Sequence, residues 1–283
     1  MVRPLTTANH DRDSAGLKYV YPVMSRRAGG LSIGINFNPN NACNWRCVYC
    51  QVPNLTRGAA PTLDFEVLER ELQGFLEWVL HGDFFDAYDV AAEQRVVKDI
   101  AISGNGEPTS LKSFDRAIRL IGAIGVETGI LPAGNLVLIS NGSLVHQKPV
   151  QAGLAELANC GGELWFKLDS ATSAGRNLLN HAKLSQAKLI EHLQIASDLC
   201  PTKLQTCILH YRQAWSEAEK AAYLALLAEL RSRNIKIAKI LLYSLARPSL
   251  QPEAGELRGA DLSEMTSFAA DIEALGYDVG VSL

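Results

Sequence analysis

Apolar positions along the chain keep two rhythms. Leu31, Ile33, Ile35 and Phe37 alternate with Ser32, Gly34 and Asn36, the period-two pattern of a strand. From Leu63 to about His81 the apolar residues Leu68, Leu72, Phe75, Leu76 and Val79 recur at helical spacing. The same strand-then-helix order returns down the chain. Strands are predicted over 96–102, 136–139, 164–168, 204–209 and 235–245, with a short last strand over 277–283. Helices are predicted over 111–126, 149–160, 178–199, 216–233 and 262–275. At the start of the fourth of these, Ser216 is followed three residues on by Glu219, a capping-box pattern. Near-continuous apolar strands alternating with helices predict a parallel sheet covered by helices. Six or seven such units with no break in composition predict one curved α/β domain. An open doubly wound sheet is the alternative architecture. Residues 1–20 are polar and aperiodic, and a flexible extension is expected there, ahead of a domain over 21–283.

The 283 residues are 47% hydrophobic and 20% charged, with a formal net charge of −3. That is enough chain to bury a large core. The near-neutral balance gives no sign of a broadly basic nucleic-acid-binding surface and leaves a local basic patch open. Six cysteines in a chain of this length are not a disulfide scaffold, and their clustering points to a metal site in a reducing compartment. The opening sequence MVRPLTTANHDRDSAG lacks the apolar centre of a signal peptide. No stretch approaches the ~20 apolar residues of a membrane span. A soluble, cytoplasmic protein is expected.

Polar residues collect where the predicted strands end. In parallel α/β architectures functional groups gather beyond the carboxyl ends of the strands. Cys43, Cys47 and Cys50 follow the first strand, Gly104 to Glu107 the second, and Ser140 and Asn141 the third. Asp169 follows the fourth, His210 the fifth and Arg247 the sixth. The sharpest chemistry lies in NACNWRCVYC, which sets three cysteines at CxxxCxxC spacing with none following until Cys160. A structural zinc site takes four protein ligands. A four-iron cluster held by this loop alone would have thiolates for three irons and leave the fourth open to a non-protein ligand. The alternatives are a zinc site completed by a distant Cys or His, and three ordinary buried cysteines. Tyr49, between the last two cysteines, reads either as a core aromatic or as a ring offered to an adenine. His210, alone at a strand end, reads as structural.

CNWRCVYC resembles the cluster loop of the radical S-adenosylmethionine (SAM) superfamily, including the aromatic before the last cysteine. The resemblance implies a partial (β/α)6 TIM-like barrel of parallel strands with outer helices over 21–283. It also implies two cofactors. A [4Fe–4S] cluster would sit on Cys43, Cys47 and Cys50, and the amino and carboxylate groups of S-adenosyl-L-methionine would chelate the fourth iron. An electron from the cluster then cleaves the sulfonium, and the 5′-deoxyadenosyl radical abstracts a substrate hydrogen. In such chemistry the protein positions the cofactors and shields the radical. GNGEPT at 104–109 resembles the family's Gly-Gly-Glu element, with Asn105 and Gly106 varying the usual dipeptide. Gly104 and Gly106 would let the backbone approach a ligand, and Glu107 would accept a hydrogen bond from the methionine ammonium. A plain strand-to-helix turn is the other reading. Ser140, Asn141 and Gly142 resemble the segment that contacts ribose or carboxylate, with an Asn-Gly turn as the alternative. Lys167 and Asp169 in WFKLDS resemble a Lys-x-Asp element. It would point Lys167 into the barrel and place Asp169 on ribose hydroxyls or substrate; a salt-bridged core pair is the alternative. Arg247-Pro248 resembles a terminal Arg-Pro of one branch. Its planar guanidinium suits a carboxylate or phosphate, which makes Arg247 a candidate substrate clamp, or else a surface arginine.

The segment YPVMSRRAGGLSIGINFNP, the GEPT form of the second motif and the final Arg-Pro all resemble one branch of the superfamily. That branch holds iron–sulfur oxidoreductases related to the wybutosine-type tRNA synthases. Those synthases use a second cluster on additional N-terminal cysteines, and none precedes Cys43 here; the tRNA substrate is not carried over. LQTCILH lacks the glycine-rich element that often supports the adenine, and Cys160, Cys200 and Cys207 lie too far apart to form a cluster motif. The expected partners are an unidentified substrate (small molecule, RNA or protein) and a reducing electron donor such as flavodoxin or ferredoxin, with no membrane. Two other functions compete. One is an activase that installs a glycyl radical in a partner, against which Ser25-Arg26-Arg27 and Arg247-Pro248 argue. The other is a noncatalytic zinc- or nucleic-acid-binding module, whose nucleic-acid affinity would fall steeply with salt.

Overall fold

The computed structural model describes Leu5, residues 15–25 and residues 29–282. Strand β1 (Val20–Ser25) turns back antiparallel onto β2 (Gly30–Asn36), the strand foreseen from the alternation at 31–37. Two short strands, β3 (Ala42–Cys43) and β4 (Thr56–Arg57), pair in parallel across the base of the cysteine loop. Helices α1 (Phe65–His81) and α2 (Phe84–Ala87) lead to β5 (Val97–Ser103). The alternation continues through α3 (Phe114–Glu127), β6 (Asn135–Ser140), α4 (Lys148–Asn159) and β7 (Glu163–Lys167). It proceeds through α5 (Ser173–Asn180), α6 (Gln186–Leu199), β8 (Thr202–His210), α7 (Glu217–Ser232) and β9 (Lys239–Ser244). The chain ends with β10 (Arg258–Gly259), α8 (Leu262–Ala274) and β11 (Val279–Ser282).

The main sheet runs β1-β2-β5-β6-β7-β8-β9-β11, with β10 antiparallel against β8. From β2 to β11 every neighbouring pair on this path is parallel. The result is a curled, mostly parallel α/β half-barrel with helices outside, as expected. Successive strand residues point to opposite faces. Ile33, Ile100, Leu136, Leu164, Leu204 and Ile240 are wholly buried on the face the helices cover. The alternate positions, among them Gly34, Ala101, Val137, Trp165, Gln205 and Tyr243, line a concave cavity of about 400 Å³. Strand β1 is an addition to the predicted set. Its Pro22 cannot donate to a ladder, which confines such a strand to an edge.

Two local expectations change. The helix foreseen over 178–199 is two helices, because His181 takes a left-handed φ of 49° as the cap of α5 and Ser185 caps α6 afresh. The capping box at Ser216 and Glu219 is half made. Ser216 accepts from the Glu219 N–H, but the Glu219 carboxylate accepts from Ser170 Oγ and Thr172 Oγ1, both at 2.6 Å. The complete box stands at Asp261 and Glu264 instead. Much of the expected 1–20 extension, and Arg26 and Arg27, lie outside the described residues, while Tyr19 and Val20 are already buried. Among the described residues no helix is long and apolar enough to cross a membrane.

Candidate functional site

The cysteine loop crosses the carboxyl end of the half-barrel and is strapped down on both sides. On one side the Val48 N–H donates to the Leu179 carbonyl (2.8 Å) and the Arg46 N–H to the Asn180 carbonyl (3.2 Å). On the other, the Leu250 N–H donates to the Cys50 carbonyl (3.0 Å) and Ser249 Oγ to the Val48 carbonyl (2.7 Å). The Arg46 guanidinium grips Glu253 with two bonds of 2.9 and 2.6 Å and holds that carboxyl below the usual carboxylate range. Cys43, Cys47 and Cys50 are half-buried thiols in no disulfide, and all three stand on the cavity wall. Cys43 Sγ accepts from the Trp45 N–H at 3.5 Å, and Cys47 Sγ from Asn180 Nδ2 at 3.3 Å. Burial pushes the Cys43 thiol up to about 12 and that of Cys47 to about 11. A bound metal reverses this order through its own charge, since thiol ligands bind deprotonated. Among the described residues no three His, Cys, Asp or Glu side chains are grouped as ligands of one metal ion.

The GNGEPT segment leaves β5 and folds against this loop. Gly104 holds a φ of 134°, and a Cβ there would lie 2.4 Å from Asn36 Oδ1. A Cβ on Gly106 would lie 2.0 Å from the Ala42 carbonyl. Both glycines line the cavity, but the close approach they permit is to β2 and to the residue before Cys43 rather than to a ligand. Glu107 is 2% exposed and accepts from four donors: the Thr109 N–H (3.1 Å), Thr109 Oγ1 (2.6 Å), Ser140 Oγ (2.7 Å) and the Asn141 N–H (2.7 Å). Burial raises its pKa while these donors oppose the rise. Asn141 passes the connection on, its Nδ2 donating to Asn44 Oδ1 at 2.9 Å. Glu107 and Asn141 reach the cavity wall; Ser140 is buried behind Glu107 and is not among the lining residues.

Lys167 and Asp169 meet across the far wall. Lys167 Nζ donates to the Tyr243 hydroxyl at 2.7 Å and stands over the rings of Tyr49 and Tyr243, about 5 Å from each centroid. Burial disfavours its charge, but Asp169 at 3.9 Å more than restores it. The Asp169 side chain is wholly inaccessible and does not line the cavity. It accepts from the Tyr49 hydroxyl, from Asn180 Nδ2 (2.7 Å) and from the Cys207 N–H (3.0 Å). The arrangement is the salt-bridged core pair, with Tyr49 and Lys167 side by side on the cavity wall. Arg247 is half-buried on the wall, its Nη1 donating to Gln51 Oε1 at 3.1 Å. His210 lies with Glu264 (2.9 Å) and is not among the lining residues. Five residues of this site carry no signal in the sequence. Asn44, Trp45, Asn180, Cys207 and Tyr243 gain their places from topology.

By overall fold, the chain superposes on a radical SAM methyltransferase from Sphaerobacter thermophilus over 93% of its own length and 68% of that chain, with a TM-score of 0.58 and 14% identity. The chain shares the fold of that enzyme. A structure of anSMEcpe with bound AdoMet shares it at a TM-score of 0.54 and 15% identity, over 88% of this chain and 62% of that one. By sequence, GTPase Obg of Brachyspira hyodysenteriae (strain ATCC 49526 / WA1) is 26% identical over 151 residues, 53% of this chain. The chain spans only 19% of that curated relative's length. No family model matches the chain.

Proposed function

We propose that the chain is a radical SAM enzyme in which Cys43, Cys47 and Cys50 hold a [4Fe–4S] cluster and S-adenosyl-L-methionine binds in the adjoining cavity. The observation that carries this reading is the placement of the three thiols, without a fourth cysteine in their loop, on the wall of a cavity at the carboxyl end of a half-barrel. The donor set fits the cluster. Two of the thiols already accept protein hydrogen bonds, from the Trp45 N–H and the Asn180 amide, which favour the thiolate form a metal needs. When bound, the two groups supply reductive cleavage of the sulfonium and the radical that removes a substrate hydrogen.

The chain's own residues bind, orient and exclude. Among the described residues Glu107 Oε2 accepts from the Asn141 N–H alone, so it retains capacity for an ammonium on the cavity side. Tyr49, anchored through its hydroxyl to Asp169, offers a fixed ring to an adenine. Asp169 thus serves the ligand through Tyr49 and Lys167 rather than by touching ribose. Lys167 brings a buried positive charge to the wall and Arg247 a planar clamp for a carboxylate or phosphate. Val137, Ile139 and Trp165 keep the adjoining wall apolar, which limits water near a reactive intermediate. The clustering of three of the six cysteines in one loop supports a reducing, cytoplasmic setting. The GEPT form and the Arg-Pro support the branch related to wybutosine-type synthases, with the substrate left as a small molecule, RNA or protein. The stretch shared with a GTPase carries no G-x-x-x-x-G-K-[ST] phosphate loop.

The test is anaerobic purification followed by reductant and S-adenosyl-L-methionine. Brown, iron- and sulfide-containing protein that releases 5′-deoxyadenosine and methionine is expected. Replacing Cys43, Cys47 and Cys50 together with Ala removes both colour and cleavage. If that variant still makes 5′-deoxyadenosine, the site is wrong.

A further inference from the structure

A second cavity, of about 360 Å³, lies beside the first, and Trp45 lines both. Its wall is formed by Trp45 and Ser143 together with Lys183, Lys188, His146 and His192. The two imidazoles stack at 5.2 Å, and His192 Nδ1 donates to the Gly142 carbonyl at 3.0 Å. Apart from the Trp45 N–H, none of these groups is used by the function proposed above.

We propose that this surface docks an acidic one-electron donor protein; the proposal rests on the reading of Cys43, Cys47 and Cys50 as cluster ligands. Electron transfer slows steeply with distance, so a donor must sit where the ligand loop comes nearest the surface. The Cys47 side lies under Asn180 at the end of α5, the Cys50 side lies under residues 249–251, and the larger cavity must hold cofactor and substrate. Over the second cavity the route is short: Trp45 forms the wall, and its own N–H donates to Cys43 Sγ at 3.5 Å. A parallel route runs from Ser143 Oγ, which accepts from Asn44 Nδ2 at 2.8 Å, to the residue beside Cys43. The transfer moves one electron from donor to the held group, with no bond made or broken.

Charge selects the partner. Lys183 and Lys188 are exposed on this rim. Exposed Arg57, which donates to the Asn44 and His181 carbonyls, adds a third cation beside the loop. Glu191 is the one acidic residue among those lining this cavity, in a chain whose net charge is −3. A local positive patch on a negative protein steers an acidic partner and sets its orientation.

The experiment uses flavodoxin and an acidic [2Fe–2S] ferredoxin as probes. Their Kd for the protein is measured by titration at low and high salt, and cluster reduction is followed by stopped flow with each donor and with dithionite. Lys183→Glu combined with Lys188→Glu is expected to weaken donor binding by about tenfold or more and to flatten its salt dependence. Reduction by dithionite stays at the wild-type rate. Lys236→Glu, an exposed site just ahead of β9 at the opposite end of the sheet, leaves donor binding unchanged. Wild-type affinity in the double variant, or no binding of either donor to the unmodified protein, overturns the proposal. A protein that binds the donors but carries no iron–sulfur chromophore would sink the cluster reading instead, and the two failures are distinct.

Discussion

Gly106→Ala asks whether the second motif is shaped for packing against the cysteine loop. A methyl at position 106 would sit 2.0 Å from the Ala42 carbonyl and 2.7 Å from Asn38 Cγ and Nδ2, where ordinary contact begins at 3.4 Å. Neither neighbour can yield easily. Ala42 O is backbone, it directly precedes Cys43, and it already accepts from Asn38 Nδ2 at 2.8 Å. Asn38 is wholly buried. The loop must therefore move by more than an ångström or the Asn38 bond must break. Overpacking of this kind costs about 1–3 kcal/mol, and a lost buried hydrogen bond adds about 1 kcal/mol. For a chain of this size that lowers the melting temperature by roughly 3–7 °C. The displaced residue adjoins a proposed ligand, so iron and sulfide content should fall as well. 5′-Deoxyadenosine formation should drop on the order of 100-fold, the loss a misplacement of about 1 Å can produce. Gly255→Ala is the control, since a Cβ there meets nothing within 4 Å. A Gly106→Ala protein that melts with the control refutes the packing argument. One that melts early yet keeps its iron and its turnover refutes the link to Cys43.

Gly74 lies within α1 with nothing within 4 Å of an added Cβ. Gly74→Ala is therefore expected to stabilise the protein by about 0.5–1 kcal/mol, read as a higher urea midpoint at unchanged slope; an unchanged or lower midpoint contradicts it. His192 is 4% exposed, and burial first, then the neighbouring His146, lowers its pKa from the ordinary 6.5. The folded chain thus keeps it neutral where the unfolded chain takes a proton, so its contribution is complete above pH 6.5 and is lost as pH falls below that value. Between pH 7.5 and 5.5 the wild type should lose more unfolding free energy than His192→Gln, and equal losses would dismiss the assignment.

The strands and the rim were legible because each follows from a local rule. Period-two alternation marks β2, and the carboxyl-end rule for parallel sheets gathers Cys43, Glu107, Asn141 and Lys167 without knowledge of any contact. What the sequence did not reveal is which way a rim residue is turned. The bonds that decide this join Glu107 to Ser140, Asn44 to Asn141 and Tyr49 to Asp169, pairs 33, 97 and 120 residues apart. Asp169 and Ser140 share the rim by position yet spend their polar atoms on neighbours, while Tyr243 and Trp45, apolar in any pattern, face the cavities. The break at His181 was equally hidden, since helical spacing persists on either side of it. A common logic connects these cases. Glu107 ties the ends of β5 and β6 together and, through Asn141 and Asn44, reaches the cysteine loop. Asp169 ties Tyr49 of that loop to Asn180 and to the backbone of β8. Two buried carboxylates at the rim therefore act as knots that fix where the thiols stand. Spacing alone specifies that three cysteines can share a ligand; their arrangement in space depends on acids placed far away in the chain. Changes at Glu107 or Asp169 should accordingly disturb the loop before they remove any contact to a bound cofactor.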